Sequence, residues 1–131
     1  EGVKEFNSTD FLAHKDLFST LGRKQKPHTL FIGCADSRIV PNLITKTLPG
    51  ELFVVRNIAN IVPFYRETEE FVATTSCIEY AVKVLEVRNI IICGHSNCGG
   101  CNASGSASSR RRAMCCPWST PRPPGSSSPD A

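Results

Sequence analysis

The sequence predicts an α/β fold, with a parallel β-sheet core and flanking helices. The apolar runs Thr29–Cys34, Leu52–Val55 and Ile90–Cys93 have strand length and no polar alternation, as in strands covered on both faces. Segments with helical periodicity alternate with these runs, which indicates parallel strands joined by right-handed crossovers. The first and third runs end in glycine, cysteine and polar residues, and open parallel sheets bind ligands beyond such carboxyl ends.

The first helix is predicted from about Val3 to Leu21, where apolar side chains approximate one helical face. Gly22 fits the residue that ends it. Pro41 suits the first turn of a short helix between the first two strands. The dipeptide Pro49-Gly50 then predicts a turn that leads into the second strand.

A longer helix is predicted between the second and third strands, from Thr68 to about Val87. Thr68 followed by glutamates resembles a helix start, and apolar residues continue from there at helical spacing. Another helix is expected to begin just after Cys98, where its N-terminus would favour a thiolate. Each strand therefore leads into a loop and a helix.

Composition divides the chain at about Cys101. Residues 1–101 are predicted to be the N-terminal portion of the α/β domain. Residues 102–131 contain no Leu, Ile, Val or Phe and are rich in Ser, Pro and Arg, so we expect a disordered tail. The net charge of +3 comes from four arginines in that tail, opposed by Asp130. Because the remainder is neutral, no nucleic acid partner is expected.

Cysteine usage favours a cytoplasmic protein. The chain has 7 cysteines, an odd number, and several of them lie in apolar strand-like runs without a preceding signal peptide. No apolar run reaches the length of a membrane span, so no membrane partner is expected. The chain starts at Glu1 without methionine, and a removed N-terminal targeting segment stays open as an alternative.

Three residues at the strand ends form a candidate zinc site. His95 and Cys98 stand three residues apart in the loop after the third run, a spacing that lets both reach one ion. Cys34 ends the first run with the same order of apolar strand, glycine and cysteine. Two thiolates and a neutral imidazole leave one position open on Zn²⁺, where a bound water could ionise near neutral pH.

Asp36 and Arg38 decide whether such a site is open. Cys34, Asp36 and Arg38 alternate, so they point the same way in an extended segment. Asp36 can bind the metal as a fourth ligand and close the site, or it can form a bidentate pair with Arg38 and leave the site open. The residues alone leave both arrangements possible.

Two other readings of the cysteines stay open. Cys98 and Cys101 form a Cys-x-x-Cys at a strand-to-helix junction, as in a thioredoxin-type dithiol. Cys93, Cys98 and Cys101 match the opening of a plant-type iron–sulfur spacing. Neither reading accounts for His95, Cys34 and Asp36 together. Cys77 and Cys93 are interpreted as packed apolar residues.

The segments Ile32–Arg38, Pro49–Asn60 and Ile91–Gly100 resemble the β-class carbonic anhydrases, in order and at the family's spacing. The resemblance covers about residues 1–101 and implies that Cys34, His95 and Cys98 are zinc ligands, with Asp36 and Arg38 as the pair that opens or closes the site. The positions that correspond to the lining of the carbon dioxide and bicarbonate pocket are Gln25, Phe53, Ile58, Tyr80 and Gly99.

The resemblance implies zinc-dependent reversible hydration of carbon dioxide to bicarbonate and a proton, through zinc-bound hydroxide, in a homodimer or higher homo-oligomer that exchanges N-terminal helices. The alternatives are a zinc hydrolase of a small cumulene such as carbon disulfide, and a truncated remnant that binds zinc without catalysis. Family members continue past Gly100 with a helix and a further strand, which the chain does not match after Cys101. We therefore expect Ile90–Cys93 to be an exposed sheet edge, and expect stability to depend on zinc and on the dimer partner.

Overall fold

The computed structural model describes residues 1–64 and 72–105. Its centre is a parallel sheet of three strands, β1 (Thr29–Cys34), β2 (Leu52–Asn57) and β3 (Asn89–Cys93), in the order β2-β1-β3. The predicted parallel sheet with flanking helices is confirmed. The predicted strand boundaries differ by no more than a residue or two, because β2 continues to Asn57 and β3 begins at Asn89.

The central strand β1 carries the core. All six of its residues are buried, and Leu30 and Ile32 pack with Val55 of β2 and with Ala81. Ala81 lies on the long helix α5 (Ala73–Lys83), which covers this face of the sheet. Burial on both faces explains why the β1 sequence lacks polar alternation.

The edge strand β3 is exposed, contrary to what its run of isoleucines suggests when taken alone. Ile90, Ile91 and Ile92 retain 52%, 41% and 40% of their accessible surface. The strand pairs with β1 along one side, and within the described residues it has no second strand partner. The expectation of an exposed edge, drawn from the family resemblance, therefore agrees with the structure.

The N-terminal segment forms three short helices, so the prediction of one helix from Val3 to Leu21 is wrong. These are α1 (Gly2–Ser8), α2 (Asp10–Ala13) and α3 (Lys15–Leu21). The helical path breaks at Thr9 (φ −123°, ψ −77°) and at His14 (φ −115°, ψ 27°). The Thr9 hydroxyl donates to the Glu5 carbonyl at 2.7 Å, and such side-chain bonds compete with helical ones.

The turns between β1 and β2 follow the prediction. Pro41 is the first residue of α4 (Pro41–Thr45), and Lys46 ends that helix in a left-handed conformation with φ 56°. Gly50 has φ +90°, and a β-carbon there would lie 2.3 Å from Leu21 Cδ2. Glycine at position 50 therefore provides both the turn and the close approach of α3.

The helix α5 ends four residues before the predicted Val87. Its C-cap is Val84, and Glu86 takes a left-handed conformation with φ 52°. The Val87 amide then donates to the Ala81 carbonyl at 3.1 Å, which turns the chain into β3. The predicted start at Thr68 lies outside the described residues, whose helix begins at Ala73.

A helix follows Cys98, as predicted. This helix, α6 (Gly99–Gly105), contains the predicted division of the chain at Cys101. The rest of the predicted tail, residues 106–131, lies outside the described part of the chain. Within the described ranges, no helix has the length and apolar character needed to cross a bilayer.

Candidate metal centre

The fold brings together the three residues that the sequence singles out as zinc ligands. Cys34 is the last residue of β1, and His95 and Cys98 lie in the loop between β3 and α6. Because β1 and β3 are adjacent parallel strands, both segments leave the same edge of the sheet. The ligand atoms of Cys34, His95 and Cys98 all lie within 4.8 Å of one another.

The distances among these atoms fit a tetrahedral metal ion. The Sγ atoms of Cys34 and Cys98 are 3.8 Å apart. Two Zn–S bonds of about 2.3 Å at a tetrahedral angle require a sulfur separation of about 3.8 Å. A donor set of two sulfurs and one imidazole is typical of zinc rather than of magnesium or calcium. The three residues therefore fit a zinc ion.

The His95 ring is oriented for metal binding. Its Nδ1 lies 3.0 Å from the Ser96 carbonyl oxygen, an acceptor that favours a proton on Nδ1. Nε2 is then left with a lone pair, and it is buried without a hydrogen-bond partner. A buried polar atom without a partner is costly in a native fold. A metal ion bound at Nε2 would remove that cost.

Cys34 is held close to its thiolate form. Burial raises the pKa of its thiol, but the neighbouring His95 imidazole, backbone groups of Asp36 and Ala59 and the Cys98 thiol outweigh burial and lower the pKa from 9.0 to about 7. Zinc binds the thiolate, so this environment reduces the cost of deprotonating Cys34 for metal binding.

Asp36 pairs with Arg38 in the structure. Its Oδ1 accepts from Nε and the backbone N–H of Arg38 at 2.9 Å and 3.0 Å, and its Oδ2 accepts from Nη2 at 2.8 Å. These bonds hold the pKa of the Asp36 carboxyl far below its usual range and raise the pKa of Arg38. Asp36 Oδ2 is 3.8 Å from His95 Nε2, so the carboxylate borders the metal site while remaining paired with Arg38.

Arg38 also connects the two loops that supply the ligands. Its Nη2 donates to the Asn97 carbonyl oxygen at 3.2 Å, next to Cys98. Asn97 itself has a left-handed conformation with φ 52°. The guanidinium therefore ties the segment after β1 to the loop after β3, in addition to holding Asp36.

The turn Ile58–Asn60 closes the site from the side of β2, and sequence reasoning assigned it no structural role. Ala59 is 1% exposed and packs against Cys34 and Cys98. A β-carbon at Gly100 would lie 2.5 Å from Ile58 Cγ2 and 3.0 Å from Ala59 Cβ. Glycine at position 100 therefore allows α6 to approach this turn, and with it Cys98 to approach Cys34.

The predicted substrate-pocket residues lie on several elements. Phe53 of β2 and Tyr80 of α5 are in contact, with ring centroids 5.8 Å apart. Ile58 is 65% exposed and faces Gly100, while Gly99 begins α6 with open space beside it. Gln25 is exposed in the loop before β1, and no hydrogen bond joins its side chain to the other four. Their role as a pocket lining stays a prediction.

The dithiol and iron–sulfur readings find little support in the geometry. Cys98 is a free thiol that lies against Cys34, so it does not form a disulfide with Cys101. Cys93 is also free, and its Sγ lies 3.6 Å from the Gly94 carbonyl oxygen. Cys77 packs against the main core, in agreement with its interpretation as an apolar residue.

Comparisons with known proteins point to one family. A model of the carbonic anhydrase family matches residues 29–120. The carbonic anhydrase of Helicobacter pylori is 50% identical over 102 residues, which cover 78% of this chain and 46% of the relative. The carbonic anhydrase of Pseudomonas aeruginosa is 47% identical over 103 residues, which cover 79% of this chain and 46% of the relative.

Solved structures agree. The β-carbonic anhydrase CcaA superposes with a TM-score of 0.71 at 41% identity, over 81% of this chain and 49% of that one. One of two tetrameric β-carbonic anhydrases of the fungus Sordaria macrospora gives a TM-score of 0.69 at 38% identity, over 82% of this chain and 52% of that one. The chain thus spans about half the length of the relatives that it matches. Over that half, it belongs to the β-class carbonic anhydrase family.

Proposed function

We propose that this chain catalyses the reversible hydration of carbon dioxide to bicarbonate and a proton, on a zinc ion held by Cys34, His95 and Cys98. The observation that carries the proposal is the convergence of these three ligand atoms beside an intact Asp36–Arg38 pair. The named relatives are carbonic anhydrases, which supports the same reaction class here.

Cys34, His95 and Cys98 would supply three of the four ligands of a tetrahedral zinc ion, and a water would take the fourth position. Zinc, when bound with one open position, supplies Lewis acidity that brings the pKa of a coordinated water close to neutral. Cys34 and Cys98 are each 4% exposed, so the protein would shield the charge of the ion from bulk solvent on their side. Low local dielectric strengthens the electrostatic effect of the ion.

Asp36 acts as a hydrogen-bond acceptor and not as a group that takes up and keeps a proton. Its carboxyl pKa lies far below the usual range, so it is ionised at neutral pH and has little tendency to keep a proton. Oδ1 already receives two hydrogen bonds from Arg38, while Oδ2 receives one and faces His95 Nε2. Oδ2 is therefore the atom that can accept a hydrogen bond from a water molecule in the site and orient its oxygen toward a substrate carbon.

Arg38 keeps that acceptor in place. A lysine could make at most a point contact with the carboxylate, whereas the guanidinium holds both carboxylate oxygens and the Asn97 carbonyl. The positive charge also disfavours protonation of Asp36, which would turn the acceptor into a donor.

The substrate is expected to enter beside apolar side chains. Phe53, Ile58 and Tyr80 supply such surface, with Gln25 and Gly99 as the polar and open positions of the proposed pocket. Carbon disulfide is a similar linear molecule, but no observation favours it specifically. Carbon dioxide is therefore the proposed substrate.

We propose a homodimer in which the N-terminal helices pack on a second copy. None of the residues of α1, α2 and α3 is buried, although Phe6, Phe11 and Phe18 form a cluster with ring centroids 5.2 to 6.4 Å apart. Apolar surface of this kind usually marks an interface. Sedimentation of wild-type protein and of Phe11→Glu tests the proposal, because a dimer built this way should dissociate in the variant. We also propose a cytoplasmic location, which cell fractionation would test.

Stopped-flow assays of zinc-loaded protein test the activity. We expect hydration of carbon dioxide well above the rate given by the same concentration of free zinc, and no hydrolysis of carbon disulfide by the same preparation. Protein that binds one zinc without hydration would instead support the inactive remnant. Preference for carbon disulfide would replace the proposed substrate while leaving the metal site intact.

A further inference from the structure

A side chain that the proposed mechanism does not use lies directly behind the site. Arg56 occupies β2 beside Gly33 in the sheet register, next to the end of β1. Its Nε donates to the Cys34 carbonyl oxygen at 3.1 Å, and its Nη2 donates to the Asp36 carbonyl oxygen at 2.6 Å. One guanidinium therefore holds the backbone on both sides of Ala35.

The two carbonyls match the shape of the donor. The carbonyl oxygens of Cys34 and Asp36, two residues apart, both lie within hydrogen-bond distance of the Arg56 guanidinium. The N–H groups at Nε and Nη2 form a rigid planar fork that can bind two acceptors at once. Between them, the Ala35 amide donates to the Asn57 carbonyl oxygen at 2.7 Å. Two consecutive residues of β2 thus make three hydrogen bonds to Cys34, Ala35 and Asp36.

The side chain is needed because the strand ladder stops here. The register between β1 and β2 ends at Cys34 and Asn57, and the chain then turns at Ile58–Asn60 with φ 61° at Ala59. The β2 backbone therefore cannot continue to pair with the segment that carries Asp36. Arg56 extends the hydrogen bonding of the sheet by about one residue pair, through its side chain.

The Arg56 guanidinium binds backbone carbonyls and thereby positions the segment that carries Asp36. Within residues 1–64 and 72–105, it forms no salt bridge with a carboxylate, in contrast to Arg38. Its two bonds orient the Asp36 carbonyl and so the peptide plane that leads toward Arg38. The backbone N–H of Arg38 donates to Asp36 Oδ1 only if this short turn is kept. Sites that place charge near a metal require precision of about 0.5 Å.

We propose that Arg56 is a positioning residue that keeps the Asp36 carboxylate turned to Arg38 and away from the metal. The segment carries both a proposed ligand and its neighbouring carboxylate, with Asp36 Oδ2 only 3.8 Å from His95 Nε2. Without the fork, rotation of the Asp36 peptide lets the carboxylate reach the open metal position and close it. This inference rests on the metal site proposed above.

The test uses the 131-residue chain loaded with cobalt(II), whose visible spectrum reports its ligands, and azide as a probe of the open position. Arg56→Met removes both donors and keeps an unbranched apolar side chain, whereas Arg56→Lys keeps the charge without the fork. Arg88→Met is the matched control, because Arg88 is exposed before β3 and, among the described residues, its hydrogen bond is made by its backbone N–H. Circular dichroism confirms that each variant is folded.

We expect Arg56→Met and Arg56→Lys to bind cobalt but to bind azide at least about 10-fold more weakly than wild type, the usual scale for loss of a group that orients a ligand. Adding Asp36→Asn to Arg56→Met should restore azide binding, because a neutral amide competes poorly for the metal. If Arg56→Met does not fold, azide binding is measured instead with Arg56→Lys and with the double variant Arg56→Lys, Asp36→Asn.

Three results would overturn the inference. Unchanged azide affinity in folded Arg56 variants would show that the fork does not control the open position. Weak azide binding that Asp36→Asn fails to restore would show that Asp36 is not the competing ligand. Wild-type protein that takes up no cobalt would remove the metal site itself, and the role of Arg56 with it.

Discussion

The two strands that deliver the site residues differ in how firmly the protein holds them. β1 is buried along its whole length, and its end is held by Arg56, Asn57 and the Ala59 turn. β3 pairs on one side only, and its isoleucines remain 40 to 52% exposed. Cys34 therefore lies at the end of the buried central strand, while His95 and Cys98 lie in the loop that follows the exposed edge strand.

This difference assigns two roles to a bound metal. A metal held by the three proposed ligands would complete the chemistry of the site, and it would also join the loop after β3 to the end of β1. In the described structure, the links between these two segments include the contact between Cys34 and Cys98, the bond from Arg38 to Asn97 and the approach of Asp36 to His95. The free energy of metal binding would then add to the stability of the folded chain, mostly that of β3 and the loop after it.

Loss of the proposed ligand Cys34 should weaken zinc binding more than any other change considered. Cys34→Ala removes a ligand from the rigid half, and zinc affinity should fall by more than about 100-fold, the upper range for loss of a mere supporting partner. Competition with a chelator measures it. Cys77→Ala, which removes a free thiol away from the site, is the control. Equal zinc affinity in the two variants would mean that Cys34 is not a ligand.

Removing the carboxylate should separate chemistry from support. We expect Asp36→Asn to retain zinc but to hydrate carbon dioxide about 100-fold or more slowly at neutral pH, since a positioned proton acceptor typically contributes that much. The rate and the zinc content are measured on the same preparation. Retained activity together with retained zinc would show that the pair has been assigned the wrong role.

Removal of the metal by a chelator should destabilise the edge strand β3 more than the central strand β1. Without metal, we expect amide hydrogen exchange to accelerate by about 100-fold at Ile90–Ile92, corresponding to the roughly 2.7 kcal/mol that a ligand at 100 times its dissociation constant provides. Leu30, in β1, should change less. Strong protection of Ile90–Ile92 in a metal-free monomer would show that the edge is stable without the bridge.

Two neighbouring glycines offer a matched test of the close approach. Gly100→Ala places a β-carbon 2.5 Å from Ile58 Cγ2 and should lower the free energy of unfolding by about 1–3 kcal/mol. Gly99→Ala has nothing within 4 Å of the added carbon and should leave stability equal or higher by up to about 1 kcal/mol. Denaturant unfolding compares them. Equal effects would place α6 elsewhere.

The smallest effect concerns the protonation of Cys34 in metal-free protein. Its pKa is lowered from 9.0 to about 7 in the folded state. A depressed folded pKa stabilises the fold above the unfolded value, and that contribution is lost as pH falls from about 9 through about 7. Thiolate absorbance that is present in wild type and absent in Cys34→Ser should show a midpoint near the lower value. A midpoint near 9.0 would show that the neighbours of Cys34 do not lower its thiol pKa.

The order of the strands, the parallel sheet and the set of residues able to bind a metal were predictable from the amino-acid sequence. Apolar runs without alternation predicted buried strands, and β1 fulfils this because both of its faces are covered. The placement of Cys34, His95 and Cys98 at strand ends was also readable, because parallel strands present their carboxyl ends at one edge. These features depend on local pattern and on chirality.

The contacts that hold these parts in place were not predictable from sequence patterns. The apolar pattern of the β3 isoleucines predicts burial when taken alone, whereas pairing on one side leaves them exposed, as the family resemblance led us to expect. Asp36 had two possible partners, and its pairing with Arg38 depends on a turn that Arg56 braces from another strand. The breaks at Thr9 and His14 coincide with side-chain hydrogen bonds to the backbone. Such choices depend on contacts between distant residues or on competing bonds of similar energy, and a periodic pattern does not record them.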